Sequence, residues 1–111
     1  MSEDPPHSII DRPHDYRIAS LRYETGLDGQ EPFLDLVLCR GDVTRRLRFW
    51  SPRYLQIEKG FPQPTHGMAI DDVRSRQLGG LGVCVSDFEA SPGSITFWAR
   101  DVVDLDALER D

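Results

Sequence analysis

A chain of 111 residues with 39% hydrophobic and 29% charged residues is long enough to bury a core as one domain and too apolar to be disordered throughout. Its net charge of -6 weighs against a protein that coats nucleic acid or an anionic membrane, because both need a positive field to offset phosphate repulsion. The start, M-S-E-D-P-P-H-S, is acidic, and no apolar stretch approaches a signal peptide or a membrane span. A cytoplasmic protein without membrane contact is the expectation.

Residues 1–14 carry three prolines, two histidines and little apolar content beyond Ile9 and Ile10, and read as a flexible N-terminal segment. A β domain is expected over 15–103 and a C-terminal tail over 104–111. The first strand is Y-R-I-A-S-L-R-Y-E, with Ala19, Leu21 and Tyr23 on one face and Ser20, Arg22 and Glu24 on the other. T-G-L-D-G-Q-E-P then reads as an exposed loop.

The stretch from Pro32 to Pro52 organises the rest. It reads as one hairpin closed by Gly41-Asp42, a two-residue turn that sets Arg40 opposite Val43 and therefore Leu38 opposite Arg45, Leu36 opposite Leu47 and Leu34 opposite Phe49. That face is apolar. The other pairs Phe33 with Trp50, Asp35 with Arg48, Val37 with Arg46 and Cys39 with Thr44. After Ser51-Pro52, alternation in R-Y-L-Q-I-E-K predicts a third ribbon strand with Leu55 and Ile57 inward.

G-F-P-Q-P-T-H-G follows, where Pro62 and Pro64 favour a polyproline-like path displaying Phe61 and His66. Residues 69–78 fit either a strand or a helical turn. The glycines at 79, 80 and 82 read as a hairpin connection, because a strand follows them and a phosphate-cradling loop needs a helix. Two strands around Ala90-Ser91-Pro92-Gly93 form a second hairpin, with Ile95, Phe97 and Ala99 on one face. Asp104 is placed to cap one short helical turn. The fold class is mostly β: an antiparallel meander forming a sandwich or a half-open barrel, with at most one short helix. Cys39 and Cys84, in strands among aliphatic residues, read as free buried thiols rather than a disulfide.

Charge is uneven along the chain: +4 over residues 40–59, against -3, -2 and -5 over 1–15, 16–39 and 60–111. The positive block holds Arg45, Arg46, Arg48 and Arg53 beside Trp50 and Tyr54, a combination that can grip single-stranded nucleic acid or a phosphate ligand. Only Arg46, Arg48 and Trp50 share a face, and Asp35 already offers Arg48 a partner, so a solvated face with cross-strand ion pairs is the simpler reading. His7, His14 and His66 lack metal-ligand spacing. No serine lies in a nucleophile elbow and neither cysteine neighbours a histidine. An enzyme assembled from His66, Asp71, Asp72 or Asp87 is the reading the sequence supports least, and no catalytic, cofactor or metal residue is assigned. The candidate interaction surface is Phe33, Arg46, Arg48, Trp50, Phe61, His66 and Trp98, for another protein or for self-association through a sheet edge.

The run R-L-R-F-W-S-P-R-Y-L-Q-I-E-K-G-F-P, with G-M-A-I-D-D-V-R-S-R-Q-L and V-C-V-S-D-F-E…I-T-F-W-A-R-D-V after it, resembles small uncharacterised bacterial β-rich proteins. In strand order and hydrophobic spacing it is also similar to the immunity proteins that neutralise polymorphic toxins. The resemblance implies a cytoplasmic bacterial domain whose work is binding, and it names no binding residue.

Overall fold

The computed structural model describes residues 5–61, 68–76, 79–87 and 94–109. Its frame is the central hairpin, β2 (Phe33–Arg40) and β3 (Val43–Trp50), paired in the register set by the turn, from Arg40 opposite Val43 to Phe33 opposite Trp50. Gly41 lies at φ 58, the first central position at which glycine serves a primed turn. β1 (Arg17–Glu24) joins β2 on one side, and β8 (Asp101–Asp104) joins β3 on the other.

The second sheet has the order β4 (Arg53–Ile57), β7 (Ile95–Ala99), β6 (Val83–Asp87), β5 (Met68–Asp72). Every pairing in both sheets is antiparallel. One cluster of buried residues fills the space between them: Leu34, Leu36, Leu38, Leu47, Phe49 and Val102 from the first sheet meet Met68, Ile70, Val83, Val85, Ile95, Phe97 and Ala99 from the second. Phe49 and Phe97 touch edge to face at 4.9 Å between centroids, across the sheets. The architecture is a two-layer β-sandwich with one short helix, α1 (Leu105–Glu109).

Two strand pairs cross from layer to layer together. β3 runs into β4 through Ser51, at φ 52, and buried Pro52, while β7 runs into β8 through Arg100. The Arg100 N–H donates to the Trp50 carbonyl at 2.8 Å and holds the two corners side by side. β4 is therefore an edge strand of the other sheet and not a third strand of the ribbon. Its burial also differs from that expected. All five residues are exposed, Leu55 and Ile57 included. Ile57 pairs with buried Ile95 and so keeps the core side of the sheet, but β4 is an edge strand and leaves it open to solvent, while a bulge between Arg53 and Gln56 puts Tyr54 at φ 58.

A second bulge, between Ile18 and Ser20, has the opposite benefit. It takes Ala19 out of the ladder and lets Ile18 and Leu21 both pack on the core, where strict alternation would have turned Ile18 outward. The ambiguous residues resolve into β5 followed by a 3-10 turn at Arg74–Arg76, with Gln77 and Leu78 outside the described residues.

The proline-rich start is part of the packed unit from Pro5 onward. Pro6 bridges to Asp71, the His7 N–H donates to the Ile70 carbonyl and the Asp72 N–H to the Pro5 carbonyl, both at 2.8 Å. Ile10 and Tyr16 are 4% exposed and Pro13 is buried. Three isolated apolar side chains in a polar stretch carry no periodicity, which is why the segment reads as loose in sequence.

Candidate functional site

The seven candidate residues fall in different places. Phe33, Arg46, Arg48 and Trp50 lie on the outer face of the first sheet, opposite the buried face of β2 and β3. Trp98 alternates with buried Phe97 and Ala99 and so stands on the outer face of the second sheet. Phe61 follows β4 and packs against the core. His66 lies outside the described residues, as do the turn at 88–93 and the path through Pro62 and Pro64.

The structure does bring Phe33, Arg48 and Trp50 together. The Arg48 guanidinium sits 3.8 Å from the Phe33 ring centroid and 5.4 Å from that of Trp50, and the two rings meet edge to face at 5.7 Å. Asp35, directly across the ladder, accepts two hydrogen bonds from Arg48, at 2.8 and 3.0 Å. These bonds hold Arg48 charged, above its ordinary pKa. The result is a half-buried plate of one arginine against two aromatics, with its charge matched by Asp35.

The other arginines of the basic block are dispersed. Arg46 donates to Asp106 of α1 through Nε and Nη2, at 2.8 and 2.7 Å. Arg45 is on the inner side of β3. Its Nη2 donates to the Ile9 carbonyl at 2.7 Å and to Asp104 at 2.8 Å. Arg53 belongs to the second sheet. A positive run in sequence thus becomes three locally neutral pairs and one arginine on another sheet, and it generates little of the continuous positive field that a phosphate backbone demands.

Asp104 caps α1, accepting from the backbone N–H groups of Asp106 at 2.9 Å and Ala107 at 3.3 Å. Burial raises its pKa, but the Arg45 hydrogen bond and these two amides outweigh that and leave it below the ordinary carboxylate range. At the sheet-crossing corner, Glu31 accepts from the Ser51 hydroxyl at 2.6 Å and from Arg100 at 2.8 and 3.0 Å. Arg100 first, then Ser51, hold its carboxyl below the usual value. Nearby, a cleft of about 290 Å³ is lined by Arg22, Glu24, Leu27, Gln30, Glu31 and Phe33. Its charged groups are largely engaged with protein partners, Arg22 with Glu24 at 2.8 Å and Glu31 with Arg100.

One surface escaped the sequence reading. β4 places Tyr54 at 74% exposure, Leu55 at 37% and Ile57 at 44% on a strand whose far edge pairs with nothing among the described residues. The signal that hides it is alternation, which assigned Leu55 and Ile57 to the core. The positive φ of Tyr54 is invisible in residue identity.

Cys39 and Cys84 are not joined in a disulfide and are only half-buried, on outward positions of their sheets. Among the described residues no three His, Cys, Asp or Glu side chains gather as metal ligands would, and no helix is long and apolar enough to cross a membrane. No protein-family model, curated protein or solved structure matches this chain.

Proposed function

We propose that this chain is a non-enzymatic binding domain whose partner is another protein. The observation that carries the reading is β4, which leaves Tyr54, Leu55 and Ile57 open to solvent together on one edge strand. Exposed apolar side chains grouped on one strand mark partner surfaces more often than scattered ones do. The bulge at Tyr54 interrupts the backbone ladder that a second strand would extend, so β4 offers its side chains rather than its edge. The pattern-level similarity to immunity proteins supports a narrower form, a cytoplasmic bacterial domain that neutralises a toxin by covering it. The neutral pairing of Arg46 and Arg48 favours a protein partner over a single-stranded nucleic acid.

The test is affinity capture of the tagged chain from its native lysate, with and without nuclease, beside a Leu55→Asp/Ile57→Asp variant. Both side chains lie at a sheet edge, 37% and 44% exposed, so the variant should fold, with a stability loss of about 1–3 kcal/mol that its denaturant midpoint reports. A stoichiometric protein that survives nuclease and is held at least about tenfold more weakly by the variant, ~1.4 kcal/mol, supports the reading. Material lost on nuclease treatment, or equal retention by both chains, overturns it.

A further inference from the structure

β5 and β4 are opposite edges of the second sheet, and they are protected differently. The β4 edge is broken by a bulge. The β5 edge is regular across Met68–Asp72 and is covered by the chain's own residues 5–10. That cover is slight. It makes two backbone bonds to β5, His7 N–H to the Ile70 carbonyl and Asp72 N–H to the Pro5 carbonyl, and one to Arg45 through the Ile9 carbonyl. Its one deeply buried side chain is Ile10, at 4% exposure, beside Ile9, which packs partly buried against the core, while Pro5, Pro6 and Ser8 are exposed. Pro5 and Pro6 have no N–H and can donate nothing to the ladder. The segment then turns into the domain through Arg12, a non-glycine residue at φ 52, ψ 61, a left-handed geometry that is unfavourable for a residue with a Cβ.

We propose that the β5 edge is a strand-accepting site held closed by residues 5–10, and that an extended segment of a partner protein takes their place. The resident segment defines the chemistry that fits. An occupant needs an acceptor carbonyl opposite the Asp72 N–H and a donor N–H two residues later, opposite the Ile70 carbonyl. Two residues further, a second carbonyl faces the Arg45 guanidinium, and an aliphatic side chain follows directly to fill the place of Ile10. This is strand addition, in which the main chain supplies affinity and one anchored side chain supplies selection. Departure of the strap would release the Arg12 geometry and leave Arg45 its bond to Asp104, so opening leaves neither a strained backbone nor an unpaired charge behind. The site is independent of β4, and either can fail without the other.

Two measurements on the full chain test it. The first is amide hydrogen exchange of the wild-type protein. The His7 and Asp72 amides should exchange together, at least about tenfold faster than those of Val85 and Phe97, because local opening requires less than global unfolding. The second is titration of a fluorescent peptide with the sequence of residues 5–12, P-P-H-S-I-I-D-R, against the wild type and Ile10→Ser. Loosening the strap raises the open fraction, so the variant should bind the peptide at least about tenfold more tightly. Protection of His7 and Asp72 equal to that of Val85 and Phe97 overturns the proposal, as does a peptide that binds neither chain or both alike. If Ile10→Ser does not fold, the exchange rates of the wild type decide.

Discussion

Arg45 occupies a place where the hairpin register expects an apolar side chain, and it holds three parts of the molecule at once. From the inner side of β3 it donates to the Ile9 carbonyl and to Asp104, and Asp104 in turn caps α1. Both side chains are largely withdrawn from water, at 27% and 18% exposure, so the pair is screened less than a surface ion pair. Arg45→Ala should therefore cost roughly 1.5–3 kcal/mol, the range for hydrogen bonds to charged groups in such settings. The same change should move the acid limb of stability. Asp104 titrates low in the folded state, so its contribution is present above its unfolded pKa and is lost as pH falls through the folded value. Without Arg45 the burial cost is opposed only by two amides, the folded pKa rises, and the loss begins at higher pH. Urea midpoints of wild type and variant measured from pH 7 down to pH 3 check both parts, and coincident curves would contradict them.

At the scale of elements, the strands whose faces differ in polarity were legible and those that bend were not. The β2–β3 register follows from Gly41-Asp42 and the leucine alternation, and it is reproduced pair for pair. The same alternation misleads at Ala19 and Tyr54, because a bulge adds one residue without any compositional mark. The candidate surface divides in the same way. Phe33, Arg48 and Trp50 were legible as neighbours from the turn alone, whereas the exposure of Leu55 and Ile57 depends on β4 taking the edge of the other sheet, which the local alternation does not reveal.

Gly82 shows a second signal the sequence carries only in outline. It reads as part of a flexible turn, yet it is buried, its N–H donates to the Ala99 carbonyl at 2.9 Å, and a Cβ there would lie 2.4 Å from the Arg100 carbonyl oxygen. Glycine is required by the close approach of the β5–β6 connection to the crossing between β7 and β8. Gly82→Ala should lower stability by about 1–3 kcal/mol through overpacking, whereas Gly79→Ala meets no atom within 4 Å but bears its cost in a positive φ of 60°. Denaturant midpoints of the two variants should differ in size, with Gly82→Ala the lower, and equal midpoints would refute the steric account.

For the whole molecule, the acidic balance has a predictable cost at low pH. Among the described residues, three carboxyls titrate below their ordinary values, at three separate joints. Glu31 is held down by Arg100 and Ser51 at the sheet crossing. Asp104 is held down at the start of α1. Asp72, with Arg74 donating to it through side chain and backbone, falls to about 2 at the end of β5. Each folded pKa is depressed, so each contribution is complete above the unfolded values of 3.8 for Asp and 4.5 for Glu and is lost as pH falls through the folded ones.

Stability should therefore be level from pH 7 to about pH 5 as far as these groups decide it, and should fall most steeply between about pH 4 and pH 2. Salt separates the contributions. The Asp72–Arg74 and Glu31–Arg100 pairs reach the surface, with arginine side chains 74% and 49% exposed, and should weaken at 1 M salt, where the Debye length is about 3 Å. The more enclosed Asp104–Arg45 pair should persist. Asp72→Asn should make the acid limb shallower at low salt and change it little at high salt. An acid limb equally steep in that variant at low salt would mean that Asp72 carries none of it, leaving Asp104, Glu31 and the self-repulsion of a positively charged chain to account for the fall.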